Sequence, residues 1–265
     1  MKVGVFDSGL GGLTVVEAIS KFFKGAEIFY IADTLFAPYG EKSKEQILNR
    51  SLNITNYLLR KYEIEALIVA CNTATSAAIK ELRQKFKNLI VIGTEPGVKP
   101  AITKTQTKNI GVLATPATLN GEKYKDLVAK LSKDSEINVY ETACAGLMDQ
   151  IEDGKIFHPD THAMLKKWLD PMKENGVDTI VLGCTHYPLI SDVIRDIMGT
   201  NIELIETGEA IARRLDELCS KKGHCDRSEL KIEVFYTGKI KKDMINIILE
   251  NWQDGGKIEI KEENE

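Results

Sequence analysis

Ala66-Leu67-Ile68-Val69-Ala70-Cys71-Asn72-Thr73-Ala74-Thr75 is an apolar run that ends in a cysteine and passes at once into Asn and Thr. Such a run, rich in Val, Ile and Leu, reads as a buried parallel strand, with a helix following from Thr73 toward Phe86. The pattern recurs at Thr179-Ile180-Val181-Leu182-Gly183-Cys184-Thr185-His186-Tyr187-Pro188, where Pro188 suits the first turn of a helix. Open α/β sheets bind ligands at the carboxyl ends of their strands. Two thiols placed on two such ends can face each other across one cleft.

Outward from these segments, strand-like runs alternate with helical stripes, the signature of parallel sheets wrapped by helices. Val3–Phe6, Ile28–Ile31 and Leu89–Ile92 join the first cysteine strand; Ile110–Ala114, Ile137–Tyr140 and Ile202–Ile205 join the second. Between them, Ser43 and Gln46 form a capping box ahead of Leu48, Leu52, Ile54, Leu58 and Leu59. The interval from Asp7 to Cys71 nearly equals that from Thr115 to Cys184, which suggests an internal duplication. The expected architecture is therefore α/β, with two pseudo-symmetric open parallel-sheet domains and the active site in the cleft between them. Residues 98–205 form the second domain, and residues 206–265, with a strand at Ile232–Tyr236, return to the first domain begun by residues 1–97. The terminal Lys261–Glu265 is expected to fray.

The 265 residues are 43% hydrophobic and 28% charged, ordinary globular usage, with a formal net charge of −4. An acidic balance disfavours a nucleic-acid surface, and Lys221-Lys222 and Lys241-Lys242 read as solvated faces. No stretch has signal-peptide or membrane-span length, so the expected location is the cytoplasm. The five cysteines follow no disulfide spacing. Cys219, His224 and Cys225 lie close together but lack a Cys-x-x-Cys pair, and no metal is assigned to them.

The chemistry lies in the thiols. A thiolate is favoured at a helix N-terminus or beside a cation, and His186 is two residues from Cys184, within reach for proton exchange. Inverting a C–H centre needs a base on one face and an acid on the other, and thiols titrate close enough to neutrality to serve as both. Cys144 and Cys219 are read as buried hydrophobes. Asp7-Ser8-Gly9-Leu10-Gly11-Gly12 ends the first strand ahead of a helix carrying Val15, Ile19 and Phe22. It is no dinucleotide fingerprint, because Thr14 stands where the third glycine is needed. Its glycines suit a small carboxylate at a helix N-terminus, and Asp7 offers a counter-charge to an ammonium or a partner for a thiol.

Taken in order, Phe6-Asp7-Ser8-Gly9-Leu10-Gly11-Gly12-Leu13-Thr14, Pro38-Tyr39-Gly40, Cys71-Asn72-Thr73-Ala74, Glu95-Pro96-Gly97, Ile151-Glu152-x-Gly154 and Gly183-Cys184-Thr185-His186-Tyr187-Pro188-Leu189 resemble the glutamate racemases of the aspartate/glutamate racemase superfamily over nearly the whole chain. The resemblance implies a cofactor-independent enzyme of bacterial cell-wall synthesis that interconverts L- and D-glutamate, with Cys71 and Cys184 acting on opposite faces of Cα. It implies that Asp7, His186 and Glu152 assist the thiols, Asp153 being the neighbouring rival to Glu152. Ser8, Tyr39, Gly40, Asn72, Thr73 and Thr185 would hold the charged groups of the substrate together with Asp7 and His186, and Thr118 is preferred to Thr115 as a further contact. A homodimer is expected, with no cofactor, metal, membrane or nucleic-acid partner; a racemase of aspartate or another acidic amino acid in the same superfamily is the alternative. Ala32-Asp33-Thr34-Leu35-Phe36 departs from the family's Gly-Asp-Thr-Ala-Arg, so one arginine near the site is absent.

Overall fold

A computed structural model describes residues 1–250, 252 and 257–262, with residues 123, 132–135, 242, 243, 246, 250 and 257 described by their backbone alone. It divides into two compact units, Met1–Thr94 with Gly208–Glu265, and Glu95–Thr207. The strands are β1 (Lys2–Asp7), β2 (Glu27–Ala32), β3 (Ala66–Val69), β4 (Ile90–Gly93), β5 (Asn109–Ala114), β6 (Asn138–Ala143), β7 (Thr179–Gly183), β8 (Glu203–Ile205), β9 (Lys231–Tyr236) and β10 (Lys257–Glu262). The helices are α1 (Leu13–Phe22), α2 (Lys44–Tyr62), α3 (Asn72–Lys85), α4 (Val98–Lys104), α5 (Pro116–Asn120), α6 (Glu122–Ser135), α7 (Leu147–Glu152), α8 (Pro159–Glu174), α9 (Ser191–Met198), α10 (Gly208–Lys221) and α11 (Lys242–Glu250).

Among the described residues, the first unit holds a six-stranded sheet in the order β10-β9-β2-β1-β3-β4 and the second a four-stranded sheet in the order β6-β5-β7-β8. Every pairing is parallel. The duplication read from the strand spacing takes physical form here. β2-β1-β3-β4 and β6-β5-β7-β8 are the same topology, so Asp7 and Cys71 of the first set correspond to Thr115 and Cys184 of the second. In each set the chain leaves the first strand in one direction and later returns on its other side. Doubly wound sheets bind ligands at that switch point, beyond the carboxyl ends of the strands.

Burial explains why these segments are strands. Val3, Val5, Phe6, Ile28, Tyr30 and Leu67–Val69 are fully enclosed, because helices cover both faces of the first sheet. α2 and α3 pack Ile54, Leu58, Ala74, Ala78 and Leu82 against it in one cluster, and α2 starts with the Ser43–Gln46 capping box in place. α1 and α10 bury Val15, Val16 and Ile19 in the first case and Ile211, Leu215 and Cys219 in the second. Phe22 is the exception on α1, exposed beneath the guanidinium of Arg213.

Two local expectations change. Lys261 and Glu262 do not fray but lie in β10, an edge strand registered on β9 with Ile260 opposite Val234; residues 263–265 fall outside the described residues. Pro188 opens a 3-10 turn at Tyr187–Ile190 ahead of α9, rather than an α-helix. Among the described residues no helix is long and apolar enough to cross a membrane.

Candidate active site

In the first unit, β1 and β3 are hydrogen-bonded neighbours, with Phe6 opposite Val69, so the chain delivers Asp7-Ser8 and Ala70-Cys71 side by side. Cys71 caps α3: its sulfur accepts the amide of Ala74 at 3.4 Å, and its thiol lies 3.7 Å from Ser8 Oγ. A helix N-terminus stabilises negative charge on such a sulfur. The next residue, Asn72, is buried, yet neither its amide nitrogen nor its amide oxygen has a hydrogen-bond partner within the described protein. An orphaned buried polar group costs about 1–3 kcal/mol, which two atoms on one side chain repay only by meeting a ligand or solvent. Thr73 follows, buried at the same helix start.

The glycine loop closes the start of α1. The amides of Leu13, Thr14 and Val15 are bonded to the carbonyls of Leu10, Gly11 and Gly12, so the first turn of α1 is already closed by its own approach loop. Asp7 is fully buried and accepts the Gly9 amide at 3.0 Å through Oδ2. Gly12 is required by space: a Cβ there would sit 2.6 Å from Asp7 Cβ and 2.8 Å from the Tyr30 hydroxyl, itself donated to the Gly9 carbonyl. Gly12→Ala is expected to cost about 1–3 kcal/mol through overpacking and to lower both the unfolding midpoint and the activity. An unchanged midpoint in thermal unfolding would show that Asp7 and Tyr30 shift freely.

Tyr39 and Gly40 form a 3-10 turn after Pro38. Tyr39 shares the buried cluster of Cys71, but its hydroxyl is donated to Asp33 Oδ2 at 2.7 Å. Burial and the Asp33 charge push the Tyr39 phenol well above its ordinary pKa, so Tyr39 stays a neutral donor tied to Asp33. Gly40 faces open space. Asp33, fully buried, also binds Arg50 through two nitrogens, at 2.8 Å and 2.6 Å, and the Thr237 hydroxyl at 2.9 Å. Where the family's arginine is absent, the Phe36 ring stands edge-on to Tyr39 with centroids 5.7 Å apart. Sequence reasoning missed Arg50 and Thr237 in this role because they lie 17 and 204 residues from Asp33.

In the second unit the end of β7 carries Cys184, and its sulfur is 3.7 Å from His186 Nδ1. Nε2 of the same ring lies 2.6 Å from Glu152 Oε1 at the end of α7. A carboxylate only accepts, so Nε2 carries hydrogen and Nδ1 is left to exchange a proton with the thiol. Burial of His186 opposes its charged form, but the hydrogen bonds to Cys184 and Glu152 outweigh burial and raise its pKa well above the ordinary value. Asp153 instead pairs with Lys155 at the surface. Thr118 is buried, whereas Thr115 is spent capping α5 and touches the Thr118 hydroxyl at 2.9 Å. Thr185 is buried next to the cysteine, with its hydroxyl 3.4 Å from His186 Nδ1. Behind them, burial pushes the Cys144 thiol up to about 12, which keeps it protonated next to Tyr187.

Cys219 is enclosed in α10, and His224 Nε2 is hydrogen-bonded to the Lys24 carbonyl while its ring packs on Phe23. Among the described residues, no group of three His, Cys, Asp or Glu side chains is arranged to hold a metal ion.

Residues 11–215 match the family model described as Asp/Glu/Hydantoin racemase. The chain is 62% identical to the glutamate racemase of Aliarcobacter butzleri over 95% of its own length and 96% of that protein, and 57% identical to that of a Sulfurovum species over the full length of both. Among solved structures, glutamate racemase isoform RacE1 from Bacillus anthracis superposes with a TM-score of 0.83 at 32% identity, covering 99% of this chain and 97% of that one. The Escherichia coli glutamate racemase in complex with L-glutamate and the activator UDP-MurNAc-Ala also gives 0.83, at 30% identity, with 99% and 98% covered. With paired cysteine strand ends in a doubled parallel-sheet topology and a family match across most of its length, the chain belongs to the Asp/Glu/hydantoin racemase family and is an amino-acid racemase.

Proposed function

We propose that this protein interconverts L- and D-glutamate without a cofactor, with Cys71 exchanging the Cα proton on one face of the substrate and Cys184 on the other, and that it supplies D-glutamate for peptidoglycan as a cytoplasmic homodimer. The observation that carries the reading is the repetition: each four-strand set ends its third strand in a buried cysteine at the switch point. In one direction a thiolate takes the Cα proton and becomes a thiol. The electron pair left on carbon takes a proton from the opposite thiol, which becomes the thiolate. The reverse direction exchanges the two roles, so each thiol must exist in both states.

The surroundings of the two sulfurs support this division of labour. Cys184 has His186 and Glu152 as a proton relay, and an imidazolium beside the sulfur stabilises negative charge there. Cys71 has a helix N-terminus and Ser8, with Asp7 buried on the neighbouring strand end. Removing the Cα proton leaves a carbanion beside a carboxylate, which only preorganised donors can stabilise. Asn72, with its two unsatisfied amide atoms, is the foremost candidate, joined by Thr73, Ser8 and the Gly40 backbone in the first unit and by Thr118 and Thr185 in the second. Tyr39 contributes as a fixed wall, since Asp33 holds its hydroxyl.

The test is L-glutamate incubated with purified protein in deuterated water, free of added pyridoxal phosphate and metal. The circular-dichroic signal of glutamate should decay to zero while deuterium enters Cα. An absence of Cα exchange would sink the two-base reading, and faster turnover of aspartate than of glutamate would reassign the substrate.

A further inference from the structure

We propose that Thr94 and Thr75 are positioning residues for Cys71: their hydroxyls clamp the carbonyls at the end of β3 and so set where the thiol meets the substrate Cα. This rests on the two-cysteine reading above. β3 ends at Val69, opposite Gly93 of β4, and the chain then turns through Ala70 and Cys71 into α3. At that turn Thr75 Oγ1 donates to the Val69 carbonyl at 3.1 Å and accepts the Thr94 amide at 3.0 Å. Thr94 Oγ1 in turn lies 3.0 Å from the Val69 carbonyl and 2.9 Å from that of Ala70. The result is a closed ring joining the end of β3, the first turn of α3 and the first residue beyond β4.

Both threonines are enclosed, Thr75 at 3% and Thr94 at 1% exposure, and their hydroxyls meet backbone carbonyls. A valine in either place would fill the same space but strip a buried carbonyl of a donor. The neighbouring glycine fits the same design: a Cβ on Gly93 would come within 2.7 Å of Thr75 Cγ2, so a bare backbone lets β4 approach the ring. Thr94 is also the last residue of the first unit before the chain crosses into the second. The support of Cys71 is thus fastened at the point where the chain departs. Cys184 has an acid-base relay at its side, and Cys71 has a backbone clamp behind it.

The clamp predicts a direction-dependent signature that general loosening does not. If Thr94→Val raises the barrier for proton transfer to and from Cys71, Cα–H cleavage becomes more rate-limiting in the direction where Cys71 is the base. In the other direction cleavage belongs to Cys184 and becomes less so. kcat/KM is expected to fall roughly tenfold in both directions. The isotope effect measured with Cα-deuterated glutamate should rise in one direction and fall in the other. Glu152→Gln, which acts on Cys184, should tilt the two isotope effects the opposite way. Thr94→Ser, which keeps the hydroxyl, should restore wild-type behaviour, and Thr75→Ala should reproduce the tilt if Thr94→Val does not fold. Isotope effects that stay unchanged or shift equally in both directions, or Thr94→Ser behaving like Thr94→Val, would overturn the proposal while leaving the racemase reading intact. A wild-type protein that does not racemise glutamate would overturn that reading itself, and the clamp with it.

Discussion

Cys71→Ala and Cys184→Ala are each expected to reduce racemisation by at least roughly 10³-fold while leaving the far-ultraviolet dichroism of the fold unchanged. Each cysteine stands at a strand end, with its side chain turned to a neighbouring polar group, Ser8 in one case and His186 in the other. Truncation at Cys71 removes one sulfur contact to the Ala74 amide, a capping loss of about 1 kcal/mol. That is small beside the expected effect of losing the base proposed for one face of the substrate. Full-length protein that folds and turns over glutamate at near wild-type rate in either variant would end the two-base assignment.

Arg50→Ala is expected to destabilise the first unit by about 3–5 kcal/mol, the usual result of stripping the partner from a buried ion pair. Asp33 has no solvent exposure and accepts from Arg50, Tyr39 and Thr237 at once. Removing the guanidinium leaves a carboxylate in the interior with two neutral hydroxyls for company. The loss falls on three elements: the loop after β2, the Tyr39 turn and the end of β9. Because Tyr39 packs with Cys71 in the same cluster, activity should drop along with stability. The double variant Asp33→Leu with Arg50→Met should recover much of the stability but not the activity. A loss below about 1 kcal/mol in urea unfolding would place Arg50 among ordinary surface pairs.

The α/β alternation was legible because most of β1 to β9, the half-exposed β6 apart, are short runs rich in Val, Ile and Leu, and because the Ser43–Gln46 box marks its helix by local chemistry alone. β10 was not. Its alternation of Lys and Glu with two isoleucines reads as a charged tail, and only pairing along β9 makes it a strand. Cys184 and His186 could be linked by adjacency, whereas Glu152, 34 residues from His186, entered only through the family resemblance. The glycine loop had no single reading in the sequence, because glycines allow an anion cradle without requiring one. Here the same backbone freedom folds the loop back onto the α1 amides. Thr94 gave no signal, since a threonine after a strand is unremarkable until the carbonyls it serves are known.

The split composition of the first unit bears on how the protein is made. When a ribosome has released residues 1–94, β2 is an open edge, because its outer neighbour β9 is not yet synthesised. The continuous stretch Glu95–Thr207, by contrast, emerges as a finished set of elements. The middle of the message should therefore yield the earlier stable body, and the nascent N-terminal sheet waits with exposed strand hydrogen-bonding groups until the tail arrives. During that interval the chain is a natural client for holding chaperones, and truncation after residue 207 should produce aggregates rather than a shorter active enzyme.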